Sequence, residues 1–368
     1  MKIFWLYFHT VRYLKIIQIF YQIKYRLFRQ AAPKRDIVPK REVKRKVVAF
    51  IKPPQTLFSS DTFCFLNQKG SLREFGWNGK KIEKLWRYNQ HYFQDLNAVN
   101  ASDRALWHSA LLNNWMGANP IGEGIGWEIY PTSLRIVNWI KWSLSGNYLS
   151  GDCQQSLAIQ TRWMSQRLEY HILGNHLFAN AKALVFSGLF FEGNEASKWL
   201  ENGLSIIEGE LNEQVLDDGG HFELSPMYQC IFLEDILDLI NICERHPSIV
   251  SKVVISYWRQ AAESMLHWLG LMTHPDGEVA FFNDTAIGFA ANYYALHQYA
   301  VRLNLTTKPS DKNRKTYMLN DSGYIRINCG KATAFLDVAK IGPRYLSGHA
   351  HADTLSFELS VFDQRIIV

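Results

Sequence analysis

The sequence predicts a mainly α-helical fold that ends in antiparallel β-sheet, and three observations carry that prediction. From about residue 82 to 303 apolar residues recur with a helical period, and after about 315 the period becomes two. The breaks between these stretches hold the residue types that start and stop helices. The chain has 368 residues, 47% hydrophobic and 14% aromatic, which is enough for one large domain and a smaller one.

Residues 1–30 contain no acid and interleave aromatic, aliphatic and basic side chains. Lys15 and Lys24 interrupt the apolar stretches and no small-residue cleavage site follows. The segment therefore predicts neither a signal peptide nor a spanning helix. It reads as an amphipathic helix, packed on the body or in contact with a membrane surface. Residues 33–46, rich in proline and charge, are expected to form a linker, so that 1–50 is a basic helix and linker. Residues 61–80, punctuated by Gly70, Gly76 and Gly79, predict a small hairpin.

Helical periodicity then covers 103–116, 132–145, 153–172, 176–191, 195–210, 226–243, 249–271 and 287–303. Pro131-Thr132-Ser133 is expected to open one helix and Gly174-Asn175 to separate two. Ser225-Pro226 opens another, and residues 274–277 form a turn. Similar helices joined by short loops make antiparallel hairpins. Periodicity alone leaves a bundle, a solenoid and a closed toroid open, and no fixed-period repeat is present. This helical domain is expected over 51–312. Alternation at 323–328, 333–338, 355–361 and 365–368 predicts strands of a domain over 313–368. Four or five strands ending inside a strand make a poor independent sheet. The expectation is accordingly a fragment with only the start of a β domain.

Charge is unevenly spread. Residues 1–46 hold thirteen Lys or Arg against two acids, a local +11 in a chain of net +6, so the remainder is −5. No recognised nucleic-acid module accompanies the basic run at 40–46, so nucleic acid is not an expected partner. A polyanionic ligand would have to be met by local positive groups. The five cysteines, at 64, 153, 230, 243 and 329, include no Cys-x-x-Cys. That argues against a disulfide framework or a thiolate zinc site and leaves periplasmic and cytoplasmic placement both open. Twelve Trp and seventeen Tyr suit helix packing or the stacking of sugars.

Three short segments hold groups able to do chemistry: Leu-Gly-Asn-His at 173–176, Ser-Pro-Met-Tyr at 225–228 and Gly-His-Ala-His-Ala-Asp at 348–353. Asn175 can cap the following helix or donate hydrogen bonds to a ligand. With Ser225 as N-cap and Pro226 at the first helical position, Tyr228 falls in the first turn, either packing in the core or moving protons. A phenolate there would need a pKa lowered by roughly two to three units. The helix dipole supplies only about 0.3–1 kcal/mol of that. His349 and His351 share a face if they lie on a strand. With Asp353 they form a moderate metal signal. Asn89, His91, Arg135 and Glu223 fall at predicted helix ends or loops. Arg135 can pair with a carboxylate on a ligand or with one inside the helical shell. Asn283-Asp284 can bind hydroxyls or cap a loop.

Residues 168–184 and 219–229 resemble the heparinase II/III family, and 348–357 looks like the family's third marker. Residues 87–93 and 133–139 are similar to family segments too. The resemblance spans roughly residues 5–368. It implies an (α/α) toroid followed by an antiparallel β-sandwich, and β-elimination on an acidic, uronate-containing polysaccharide. It implies that Asn175, His176, Tyr228 and His349 form the catalytic set, and that Asn89, His91, Arg135 and Glu223 bind substrate. It also implies that His351 is a ligand in those members that bind zinc. Physical chemistry agrees with such a set. Removing the proton at C5 of a uronate places a second negative charge beside a carboxylate, which must be neutralised. Rival readings are a non-catalytic polysaccharide-binding or assembly protein on the same scaffold, and a glycoside hydrolase using paired carboxylates such as Glu223 and Asp284.

Overall fold

A helix over Ile16–Leu27 (α1) precedes a two-stranded hairpin, β1 (Thr62–Phe65) and β2 (Gln68–Ser71). Among the described residues a one-turn helix over Leu72–Phe75 and then nine longer helices follow: α2 (Lys84–Tyr92), α3 (Ala105–Ala118), α4 (Ile129–Leu144), α5 (Gly151–Ser165), α6 (Gly174–Phe190), α7 (Asn194–Gln214), α8 (Pro226–Cys243), α9 (Lys252–Leu271) and α10 (Tyr293–Arg302). Five more strands follow among the described residues: β3 (Thr316–Leu319), β4 (Tyr324–Cys329), β5 (Ala332–Asp337), β6 (Phe357–Val361) and β7 (Gln364–Ile367). This computed structural model describes Trp5, His9 and residues 11–28, 31–42, 45–306 and 315–368. The expected boundary at 312–313 lies outside the described residues, as do parts of the expected 1–50 segment.

The elements group into two compact units. A helical unit comprises residues 23–170 and 176–207, and a mixed unit comprises 1–22, 171–175 and 208–368. The core of the helical unit is built on Trp86, Trp115, Trp139, Phe178 and Phe186, all essentially inaccessible to water. Trp115 meets Trp139 edge-on at 5.9 Å. Packing therefore accounts for these aromatics, as their large apolar area favours. The expected linker is strapped to α6 rather than loose. Lys40 bridges Phe191, and Arg41 donates to the carbonyls of Leu189 (3.1 Å) and Phe191 (2.9 Å), capping the open end of that helix.

In the mixed unit α8 packs on α9 and α10. The sheet runs β3-β4-β5-β6-β7 with every neighbour antiparallel. It is fastened to the helices by polar side chains. Arg326 of β4 donates to the carbonyls of Gly270, Leu271 and Thr273 at the end of α9 (3.2, 2.9 and 3.1 Å). Asp218 accepts from the backbone and hydroxyl of Ser322, each at 2.8 Å. His274 is bound to Glu358 (2.8 Å) and Ser360 (2.6 Å) of β6.

Several boundaries differ from expectation for local reasons. The helix expected over 153–172 ends at Ser165. Leu173 and Gly174, the first residue of α6, then adopt left-handed backbone, φ 71° and 56°. Asn175 thus lies inside the first turn of α6 and does not cap it. Helix α4 begins at Ile129, with Pro131 tolerated in a first turn whose N–H groups have no helical partner. Helix α10 starts only at Asn292, whose side chain caps the Ala295 N–H at 3.1 Å. Strand β3 was not among the expected strands. His349 and His351 lie in a loop, so the shared strand face does not arise.

Candidate active site

Three loops of the mixed unit meet around Asn283: the turn at 219–225 before α8, the segment 280–285, and the loop 346–353 between β5 and β6. Asn283 sits in left-handed backbone, φ 53°, which asparagine tolerates better than most residues. Its amide donates to the Leu224 carbonyl at 3.0 Å and to the Tyr324 hydroxyl at 3.1 Å, and its oxygen accepts the His351 N–H at 3.1 Å. The Asn283 N–H itself donates to Asp353 at 2.5 Å. Tyr324, fully buried on β4, donates to the same Leu224 carbonyl at 2.6 Å. These bonds satisfy loop backbone that would otherwise be buried without partners.

The scaffold holds four ionisable groups together. Ser225 caps α8, accepting from the Tyr228 N–H at 3.4 Å while donating to the Asp284 carbonyl at 2.9 Å. Pro226 follows at the helix start, as the sequence leads one to expect. The Tyr228 ring lies 4.2 Å from the His349 ring. The His349 backbone carbonyl accepts the Asp284 N–H at 3.1 Å. On its ring, Nδ1 bonds the Asp284 carboxylate at 2.7 Å and Nε2 stands 3.6 Å from Glu223. Side-chain exposure rises from 1% at Glu223 to 24% at His349 and 46% at Asp284. The cluster therefore runs from a buried acid to a solvated one.

That gradient sets the protonation states. Burial, reinforced by Asp284, pushes the Glu223 carboxyl up to about 8, so it is largely an uncharged acid at neutral pH. Neither of its oxygens has a hydrogen-bond partner among the described residues. Burial and the charges of Asp284 and Glu223 also raise Tyr228 above the ordinary phenol value. This is the reverse of the lowering that a resting phenolate would require. His221, 1% exposed, is pulled down to about 3 by burial and by His349 and stays neutral. Asn175 belongs to the same unit. The residue before it, Gly174, sits so near Glu223 that an added Cβ would lie 3.3 Å from a carboxyl oxygen. The Asn175 amide makes no hydrogen bond among the described residues.

Asn89, His91, Arg135 and His176, also expected in the site, belong to the helical unit. His176 Nδ1 meets the Glu169 carboxylate at 3.1 Å, and its ring lies 4.3 Å from that of Tyr130. Buried Asn180, one turn along α6, donates to Glu169 at 3.0 Å and accepts the Glu169 N–H at 2.8 Å. Glu169 therefore holds Nδ1–H and leaves Nε2 of His176 for a ligand. Two expectations fail here. His91 is fully buried between the Trp77 carbonyl and the Trp115 indole N–H, both at 2.9 Å, and burial with nearby Arg135 holds it at about 3. Arg135 is fully buried as well, bonded to Gln160 at 2.8 Å and lying 3.9 Å over the Trp115 ring. Both are core residues and not substrate contacts, because their polar atoms are already used inside. Asn89, half-buried, spends its amide on the Leu85 carbonyl of its own helix at 2.9 Å.

The described residues around His351 do not by themselves make a metal site. His351 is exposed, and Asp353 is committed to the Asn283 N–H. Among the described residues no group of three or more His, Cys, Asp or Glu could hold a metal, whereas zinc takes about three or four protein ligands. Sequence reasoning singled out Asp284 as a sugar or loop contact, or as one of a hydrolase's paired carboxylates, and missed its contact with His349 as well as Tyr324, Glu169, Tyr130 and Asn180. A polar Asn180 one turn after His176 on a largely apolar helix was the available signal.

Comparison with known proteins places the chain in a family. Residues 154–305 match the family model described as heparinase II/III N-terminus, and 311–368 match heparinase II/III-like, C-terminal. Together the two cover more than half of the chain. A heparin-sulfate lyase of Bacteroides stercoris is 38% identical over 76 residues, 20% of this chain and 11% of that protein. One from Pedobacter heparinus is 28% identical over 141 residues, 38% of this chain and 20% of the relative. A crystal structure of heparinase III superposes with a TM-score of 0.62 at 18% identity, covering 80% of this chain and 53% of that one. A heparinase III gene product gives 0.54 at 17%, covering 80% and 54%. The chain thus spans a fifth or less of these curated relatives and about half of these solved structures. The structural likeness shows the fold, an (α/α) toroid followed by antiparallel β-sheet.

Proposed function

Because this chain belongs to the heparinase II/III family, we propose that it is a polysaccharide lyase that cleaves a uronate-containing polysaccharide by β-elimination. The observation that carries the reading is the Tyr228–His349 pair, 4.2 Å apart and flanked by Asp284 and Glu223. The names of the curated relatives, heparin-sulfate lyases, support the substrate class.

The protonation states assign the roles. Asp284 accepts Nδ1–H of His349, leaving an Nε2 lone pair to take the C5 proton of the uronate. Tyr228, kept as a phenol, gives its proton to the departing glycosidic oxygen. The C4–O bond breaks, a C4=C5 double bond forms, and His349 then releases its extra proton to solvent while Tyr228 regains one from it. The Asn175 amide and the uncharged Glu223 acid donate hydrogen bonds to the substrate carboxylate as its charge builds. Both gain strength from a water-poor setting.

The test is incubation of the protein with heparan sulfate, hyaluronan, alginate and bacterial capsule polymers. Elimination produces an unsaturated uronate that absorbs in the ultraviolet, and we expect that product from at least one polymer. New reducing ends without the absorbance would indicate hydrolysis, and binding without either product a non-catalytic role. Both outcomes would overturn the proposal.

A further inference from the structure

We infer that α1 is a docking helix that lays its outer face on an anionic lipid surface. Ile16, Phe20, Ile23 and Leu27 recur at i, i+4, i+7 and i+11, which places them on one side of a helix. They are 86%, 58%, 51% and 71% exposed. The opposite side is the packed one. Gln18, 3% exposed, donates to the Ile172 carbonyl at 3.2 Å, and the Tyr25 hydroxyl donates to that of Leu168 at 2.7 Å. Phe28, next along the chain, is 63% exposed. Single exposed apolar residues are ordinary, but a continuous stripe marks an interaction surface.

Charge selects the occupant. Residues 1–35 hold eight Lys or Arg and no acid, while the chain beyond residue 46 is net negative. At about 100° per residue, Lys24 stands roughly 70° to one side of the stripe and Arg26 roughly 90° to the other. Bases along both edges of an apolar stripe match a bilayer whose headgroups are acidic, with the long side chains reaching up to the headgroups. A second copy of the same face would set like charges against each other. The helix lies on the surface and does not cross it: it has 12 residues against about 20 for a span. No helix among the described residues is long and apolar enough to cross a membrane.

The whole chain is to be sedimented with vesicles of phosphatidylcholine alone and with vesicles containing phosphatidylglycerol. Binding to the anionic vesicles is expected, at least about tenfold weaker on neutral ones and weakened by about 0.5 M salt. The double variants Phe20→Ser/Ile23→Ser and Lys24→Gln/Arg26→Gln should each lose about tenfold or more. The circular-dichroism melt of Phe20→Ser/Ile23→Ser, whose altered side chains are exposed, should match that of the parent. A parent protein that stays in the supernatant, or an unchanged Phe20→Ser/Ile23→Ser variant, would overturn the proposal. So would a dimer in light scattering that this variant dissociates, since the face would then belong to a second copy.

Discussion

Tyr228 and Glu223 are adjacent in chemistry and opposite in what the sequence says about them. A tyrosine in the first turn of a helix invites the idea of a phenolate, favoured by the helix dipole. The structure surrounds it with burial and two carboxyl groups, which together hold the proton on. Tyr228→Phe keeps the ring against His349 and deletes that proton. Turnover in the ultraviolet elimination assay should fall roughly 10²–10⁴-fold while the melting temperature barely moves. A residue that only packs would give the converse. Glu223 is a test by pH. Its folded value is about 8, above the ordinary carboxyl value near 4.3. Between those limits the folded protein holds a proton that the unfolded chain has released, so stability falls as pH rises from about 4 to 8. Below that window the contribution is neutral. Glu223→Gln removes the penalty. Melting curves should show the variant gaining on the parent by on the order of a few kcal/mol at pH 8 and by little at pH 4.

At the scale of elements, the start of α8 was legible in Ser225-Pro226 and the structure agrees with it. What the sequence did not disclose is that Ser225 serves two elements at once, capping α8 and holding the Asp284 carbonyl. Ser225→Ala should cost about 1 kcal/mol in denaturant unfolding, the usual loss for a cap. It should also lower turnover by more than that loss implies, because Asp284 orients His349. Equal turnover in a variant with the lost cap would show that the loop holds without it. The overlong helix expected at 153–172 has the same kind of cause. Its apolar residues continue past Ser165, but Asn180 takes the Glu169 N–H, and the chain turns where a distant side chain offers a better partner than the next helical turn.

On the scale of the molecule, the helices and sheet of the mixed unit are joined by a few buried polar contacts. His274 and Glu358 are 2% exposed each, and Glu358 also accepts the Phe281 N–H and a 3.4 Å contact from Arg365. Glu358→Ala would strand the His274 Nε2 and the Phe281 N–H without partners. Losing one member of such a buried pair costs about 3–5 kcal/mol. Limited proteolysis should then cut within 315–368 before it touches the helices, and Glu358→Gln should be milder because its amide still bonds. Simultaneous loss of both regions would mean that the sheet and helices unfold as one.

The sequence by itself determined where most of the long helices and all the strands of the last sheet but β3 lie, since periodicity reports the side of each element that must leave water. It also determined the short segments bearing Asn175, His176, Tyr228 and His349, because those residue types at helix starts and loops stand out against an apolar background. Only tertiary structure decided protonation and employment. His91 and Arg135 look like ligand contacts until the packing of Trp115 shows their polar atoms already satisfied in the core. Asp284 looks like a loop cap until it is found on Nδ1 of His349. Burial and hydrogen-bond partners are properties of residues distant in the chain, and a local pattern carries no record of which distant residue will arrive.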